Sequence, residues 1–182
     1  LYTVAAAALL AFTSPAMAAD APANAIAIVN IQQVMRDSTA AQSVREQLES
    51  KQKAFQSEIS KKEEALQKED QELGKKRSVL SKQAFDEKAQ AFRKKATEVQ
   101  KEVQSKKATL DQAFERALND IQKVVTDVIA ELAKEKNFQV AIPTSQILYG
   151  DTKLDVSAEV LKRLNEKMPK LDVKFDAPAT NK

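Results

Sequence analysis

The sequence contains no cysteine, no histidine and no tryptophan, and only two glycines in 182 residues. Each absence removes a class of function. Without cysteine there is no disulfide framework, no thiol nucleophile and no thiolate metal site. Without histidine the commonest general base and the commonest metal ligand are both missing, and Ser-His or Cys-His nucleophilic pairs cannot form. Two glycines are too few for a phosphate-cradling loop or a dinucleotide fingerprint. Neighbouring acids such as Glu63-Glu64 and Asp86-Glu87 would point apart on a helix and do not form a converging acid/base pair. A Ser/Lys dyad survives on composition, but nothing in the pattern implies a pocket for one. The expectation is a non-enzymatic chain with no catalytic residue, no cofactor and no metal site. Aromatics make up 5% of residues against 30% charged. A single copy of such a chain has little with which to fill a core, so stability through oligomerisation is expected.

What is present is an uninterrupted helical composition. From Ala23 to Ile142 there is no proline and one glycine, Gly74. Short apolar β-type segments, Ile26–Ile31 and Phe138–Ile142, stand at the two ends of this run. Between them Lys, Glu, Gln, Ala and Ser predominate, with sparse hydrophobes at helical spacing. Since glycine and proline are the usual helix breakers, the pattern predicts two long helices folded back once, a hairpin arm spanning 38–135. The flanking segments, 19–37 and 136–168, are expected to build a small β-containing body.

Residues 1–18 read as a secretory signal. Val4–Phe12 is uncharged and apolar, Ser14-Pro15 breaks it, and Ala16-Met17-Ala18 places cleavage before Ala19. The apolar run falls short of the ~20 residues that span a bilayer. The expected product is exported, soluble and unanchored.

The first arm carries Val44, Phe55 and Leu66, with Leu48 and Ile59, at eleven-residue spacing. The second carries Val99, Leu110, Ile121 and Leu132 at the same spacing, beside Val103, Phe114 and Val125. That period, ~3.67 residues per turn, keeps a stripe on one face of a nearly straight helix. Ser81 is a good N-cap for the second arm, with Asp86-Glu87 near its start, and Phe85, Ala89, Phe92, Ala96, Val99 and Val103 continue a heptad-like seam. The fold-back is placed near 74–81. Helices over 39–73 and 82–135 would extend ~50 Å and ~80 Å, which makes the arms unequal. The stripe is broad over 110–132 and thin over 60–78, where little beyond Ala65, Leu66 and Leu73 is apolar. A firm root and distal arms able to splay are expected.

Charge collects at the far end. Lys75, Lys76, Arg77, Lys82, Lys88, Arg93, Lys94 and Lys95 face only Asp86 and Glu87 within that stretch. Such an excess at a protruding tip attracts acidic partners in a salt-dependent way. Anionic lipid or lipopolysaccharide fits that chemistry, and export argues against nucleic acid. Beyond the arm, Ile147–Gly150 reads as a further short strand or turn. Asp155 reads as the N-cap of a helix whose Val156, Val160, Leu161 and Leu164 face inward, and residues 169–182, bracketed by Pro169 and Pro178, as a disordered tail.

The segment Ile26-Ala27-Ile28-Val29-Asn30, the Lys/Gln/Glu hairpin including Lys88-Ala89-Gln90-Ala91-Phe92, and Asp155-Val156-Ser157-Ala158-Glu159-Val160-Leu161-Lys162 together resemble the Skp/OmpH family of periplasmic chaperones. The likeness spans essentially the whole mature length. It implies a predominantly helical α+β fold: a small intersubunit β body bearing a long antiparallel helical hairpin, assembled as a jellyfish-like homotrimer. It further implies a periplasmic, ATP-independent holdase that keeps unfolded outer-membrane proteins in a cavity between its arms. On this reading the client-facing apolar candidates are Phe55, Ile59, Leu66, Phe85 and Phe92. The oligomer body would use Ile26, Ile28, Val29, Ile31, Val140, Ile142, Val160, Leu161 and Leu164. The competing reading is an envelope adaptor or structural hairpin with one fixed partner, which would need continuous apolar seams up to the tip. The tail beyond Asn165 exceeds what the family leads one to expect.

Overall fold

The computed structural model describes residues 26–176; the expected signal segment 1–18 lies outside them. Strand β1, Ile26–Val29, is followed by α1, Ile31–Asp37, then α2, Thr39–Lys76, and α3, Lys82–Lys136. Strand β2, Val140–Pro143, leads through short 3-10 turns to α4, Ser157–Lys167. The fold is predominantly helical α+β. Strands β1 and β2 run parallel, with Ile26 opposite Val140 and Ile28 opposite Ile142. Parallel neighbours cannot be joined by a tight turn and need a crossover. Here the crossover is the whole helical hairpin, which is why both of its roots meet at the body.

Local chemistry sets the breaks. The apolar segment expected through Ile31 stops at Val29, because the Asn30 side chain accepts from the Gln33 N–H and starts α1 there, with Ile31 already helical. Ser38, fully buried, ends α1 and caps α2 by accepting from the Ala41 N–H at 3.2 Å. The fold-back needs no glycine. Helix α2 passes through Gly74 to Lys76, and the turn closes over 77–81 with Leu80 N–H donating to the Lys76 carbonyl before Ser81 caps α3. Asp86 and Glu87, expected to favour the α3 start, lie beyond its first turn, where the helix dipole has faded. At the other end Asn137 takes the left-handed conformation, φ 56°, and terminates α3. The Ile147–Gly150 stretch forms no strand. A Cβ on its glycine would meet the Ile28 Cδ1, so a larger residue there needs the end of that side chain to move.

The core sits at the root. Val34, Val44, Ile121, Val125, Val128, Leu132, Val160 and Leu164 are buried to the last few per cent, with Ala40, Ala41, Ala113 and Ala117 allowing close helix approach. The arms are unequal, 38 and 55 residues, because the last turns of α3 run past the start of α2 and pack on α1 and α4. Asp155 accepts from the Ser157 N–H at 2.8 Å, so it holds the α4 start from one residue outside the cap position, which Val156 occupies. The bidentate pair from Arg163 to Glu135 (2.7 and 2.6 Å) and the bond from Lys167 to Glu131 clasp α4 onto α3.

Val29, Val160 and Leu164, expected in the body, are buried in the chain's own core with α1, α4 and the root of α3, and Ile28, on the other face of β1, is buried against Gly150 and Ile147. Ile31, Ile142 and Leu161 are half-buried, which leaves Ile26 (43% exposed) and Val140 (50%) as the outward pair of the sheet. The tail, expected to be disordered from Pro169, is held through Asp176. Leu171 and Val173 pack against the core, and Gln47 bonds to the main chain of both.

Beyond Ile59 and Thr109, out to the tip and back, no residue is buried. Truncating the root should therefore cost far more than truncating the arm. Leu132→Ala is expected to lose about 2–5 kcal/mol in urea unfolding, whereas Leu73→Ala, half-buried near the tip, should lose about 1 kcal/mol or less.

Candidate functional site along the hairpin

Of the five apolar candidates on the arm, Ile59 is buried, and Phe55, Leu66, Phe85 and Phe92 are half-buried between the arms. With only two helices, the repeating stripe that singled them out is consumed by the seam. An open groove of about 570 Å³ lies on one flank of that seam, between Leu48, Phe55 and Ile59 of α2 and Val103, Leu110 and Phe114 of α3. Val103 and Phe114, which belong to the expected second-arm stripe, are each 42% exposed and supply its outward apolar surface. Gln52, Gln56, Glu63, Lys106, Lys107 and Asp111 complete the lining. The apolar spots are thus separated by long polar side chains.

Polar contacts set the register of the distal arms. Glu58 pairs with Lys106 (2.8 Å), Lys62 with Glu102 (2.5 Å) and Glu69 with Lys95 (2.8 Å). Steps of four and then seven residues along α2 are matched by the same steps backwards along α3. The signal was present in the sequence as two mirrored charge series, Glu-Lys-Glu and Lys-Glu-Lys, at equal spacing. Lys62 and Lys106 each bond a glutamate on both arms. The Phe55 ring lies beneath two ammonium groups, Lys106 Nζ at 4.2 Å and Lys51 Nζ at 4.9 Å from its centroid. The hydrogen bond from Lys106 holds the Glu58 carboxyl below the ordinary carboxylate range, and that from Lys62 to Glu102 raises the Lys62 ammonium.

At the tip, Lys95 is paired with Glu69 and Lys76 lies 3.7 Å from Glu72. Among the described residues Lys75, Arg77, Lys82, Lys88, Arg93 and Lys94 make no ion pair. Folding also brings Glu69, Asp70 and Glu72 of α2 to this end, so the basic excess is smaller than the stretch 75–95 alone suggests. No described helix is long and apolar enough to cross a membrane.

Residues 25–164 match the sequence model of a family described as outer membrane protein (OmpH-like). The chain belongs to the OmpH-like family. Its structure superimposes with a TM-score of 0.77 on that of a candidate outer membrane chaperone (OmpH-like) from Caulobacter crescentus, at 17% identity, covering 85% of this chain and 90% of that one. This likeness establishes the shared architecture of hairpin and body. No curated protein matches the chain in sequence. The family match ends at 164, so the docked tail lies outside it.

The charge ladder has a defined pH response. A carboxyl depressed in the folded state adds stability that is complete above its unfolded pKa and lost as pH falls through the folded one. The raised Lys62 contributes below its unfolded pKa and loses that contribution only at strongly alkaline pH. Protection factors of the amides over 56–62 and 102–108, taken relative to the intrinsic exchange rate at each pH, should therefore hold from neutral pH down to the carboxylate range, ~pH 4, and fall below it. Glu58→Gln should flatten that acid limb.

Proposed function

We propose that this chain is an ATP-independent periplasmic holdase that binds unfolded outer-membrane proteins between helical arms and prevents their aggregation. The observation that carries the reading is the graded hairpin: a packed root, a groove of dispersed apolar spots, and distal arms without one buried residue. Such a surface holds an unfolded chain through many weak contacts, which add through effective concentration while each releases readily. Membership of the OmpH-like family and the architecture shared with a candidate outer membrane chaperone support it. An adaptor with one fixed partner would need a continuous seam to the tip, and the buried stripe stops at Ile59.

The cage is a homotrimer. Ile26 and Val140 are exposed opposite one another, and Leu148 and Tyr149 project from the same body almost fully exposed. Strand β2 has no second neighbour among the described residues, an edge that a further subunit would cover. The unpaired cations of the tip draw in acidic clients and contact anionic lipid or lipopolysaccharide. Residues 1–18 act as the cleaved export signal. The groups on the arms bind and release, and no covalent step is assigned to them.

Diluting a urea-unfolded outer-membrane β-barrel protein into buffer should give strong light scattering, abolished by one trimer per client with no nucleotide present. Undiminished scattering at that ratio would sink the reading, and a strictly monomeric sedimentation profile would remove the cage. Phe114→Glu combined with Val103→Glu should weaken client retention several-fold while leaving the helical ellipticity unchanged.

A further inference from the structure

The tail that follows α4 belongs to no helix or strand and shows a strict alternation of burial. Leu171, Val173 and Phe175 are half-buried against the hairpin, while Asp172, Lys174 and Asp176 point outward. Its main chain is held by side chains of the arms. Gln47 Nε2 donates to the Leu171 carbonyl at 2.7 Å, and the Val173 N–H donates to Gln47 Oε1 at 3.0 Å. One amide thus engages two main-chain groups two residues apart, as on one edge of an extended segment. The amide is set in advance, because its Nε2 also donates to the Ser43 hydroxyl (2.9 Å) and carbonyl (3.1 Å) one turn away. Further along, Arg116 donates to the Lys174 carbonyl and lies 3.6 Å from the Asp176 carboxylate. Lys51 Nζ stands 5.6 Å from the Phe175 ring centroid.

The position is as informative as the contacts. At 100° per residue, Gln47 and Lys51 lie on one side of the α2 contact stripe, and Gln52, Gln56 and Glu63 on the other. The tail therefore occupies one flank of the seam and the open groove the opposite flank. They meet at Phe55, which lines the groove and shares Lys51 with Phe175.

We propose that the flank formed by Gln47, Lys51, Ala113 and Arg116 is a binding site for extended polypeptide with apolar side chains at alternate positions, and that residues 170–176 fill it in cis as a displaceable client mimic. The inference rests on the holdase reading for the identity of the competitor. Strands of outer-membrane barrels alternate apolar and polar residues with the same period of two. Gln47 and Arg116 engage mainly backbone, so the site would accept many such sequences. Displacement would open a second binding flank when a client is present and keep it covered otherwise.

The test uses the full chain carrying Leu171→Asp and Val173→Asp, and a fluorescent synthetic peptide with the sequence of residues 168–182. The peptide should bind this variant saturably and at least about tenfold more tightly than it binds the unsubstituted protein, whose site is filled in cis. Adding Gln47→Ala should abolish the gain, and an unfolded outer-membrane protein should release the peptide. Equal, weak binding to both proteins would make the tail a structural clamp and overturn the proposal, even where aggregation is still suppressed. Peptide binding with no client binding and no suppression of scattering would instead overturn the holdase reading and leave a cis-filled peptide site. Should the variant fail to fold, amide exchange at Val173 of the unsubstituted protein decides the matter. Protection lost on adding client supports displacement, and protection retained refutes it.

Discussion

Two helices that meet along one line can bury only a single stripe of side chains from each, and the other elements of this chain are arranged around that limit. At the root the limit is lifted. Helices α1 and α4 and the tail pack against α2 and α3 from several sides, and Ile121, Val125, Val128 and Leu132 lose nearly all contact with water. Fifteen to twenty residues further out the same helices have only each other. Their stripe is then filled by half-buried Phe and Leu flanked by lysine stems, which cover apolar surface while keeping their charge in water. The difference between root and arm is the number of neighbours, since helical propensity is much the same along both.

The two short strands have an importance out of proportion to their size. Because β1 and β2 are parallel, the chain must leave the body and return to the same end. Inserting the hairpin as that crossover fixes both of its roots and leaves its far end unattached. Ser38 and Asn137 mark the two junctions, one as a buried double cap and the other as a left-handed stop. Between them the chain needs one reversal. It uses residues in ordinary helical and extended conformations closed by Ser81, and Gly74 stays inside α2.

Much of this was legible in the residues. The lack of breakers, the eleven-residue stripes and Ser81 located both arms, and the contrast between residues 110–132 and 60–78 foreshadowed the gradient in burial. The misreadings share a cause. Ile59 was assigned to clients before its intrachain partners were known, and the facing helix claims it, whereas Val160 and Leu164 are buried inward as their spacing indicated. The tail was judged from its two prolines, although Leu171, Val173 and Phe175 alternate in the manner of a half-buried strand. Gln47 and Arg116 carried no signal of their own, because a glutamine or arginine on a polar helix face is unremarkable until something lies across it.

The charge ladder explains how an arm so poor in apolar contact keeps one register. Apolar stripes at a constant period are nearly self-similar under a shift of a turn or two, so they specify pairing weakly. The series Glu58, Lys62, Glu69 against Lys106, Glu102, Lys95 is not self-similar. Slipping α2 by four residues toward its N-terminus would place Lys62 where Glu58 now sits, opposite Lys106, and like charges at contact destabilise that arrangement. Such pairs are screened by solvent and add little strength. An arm built this way has its alignment set by electrostatics and little burial to stiffen it.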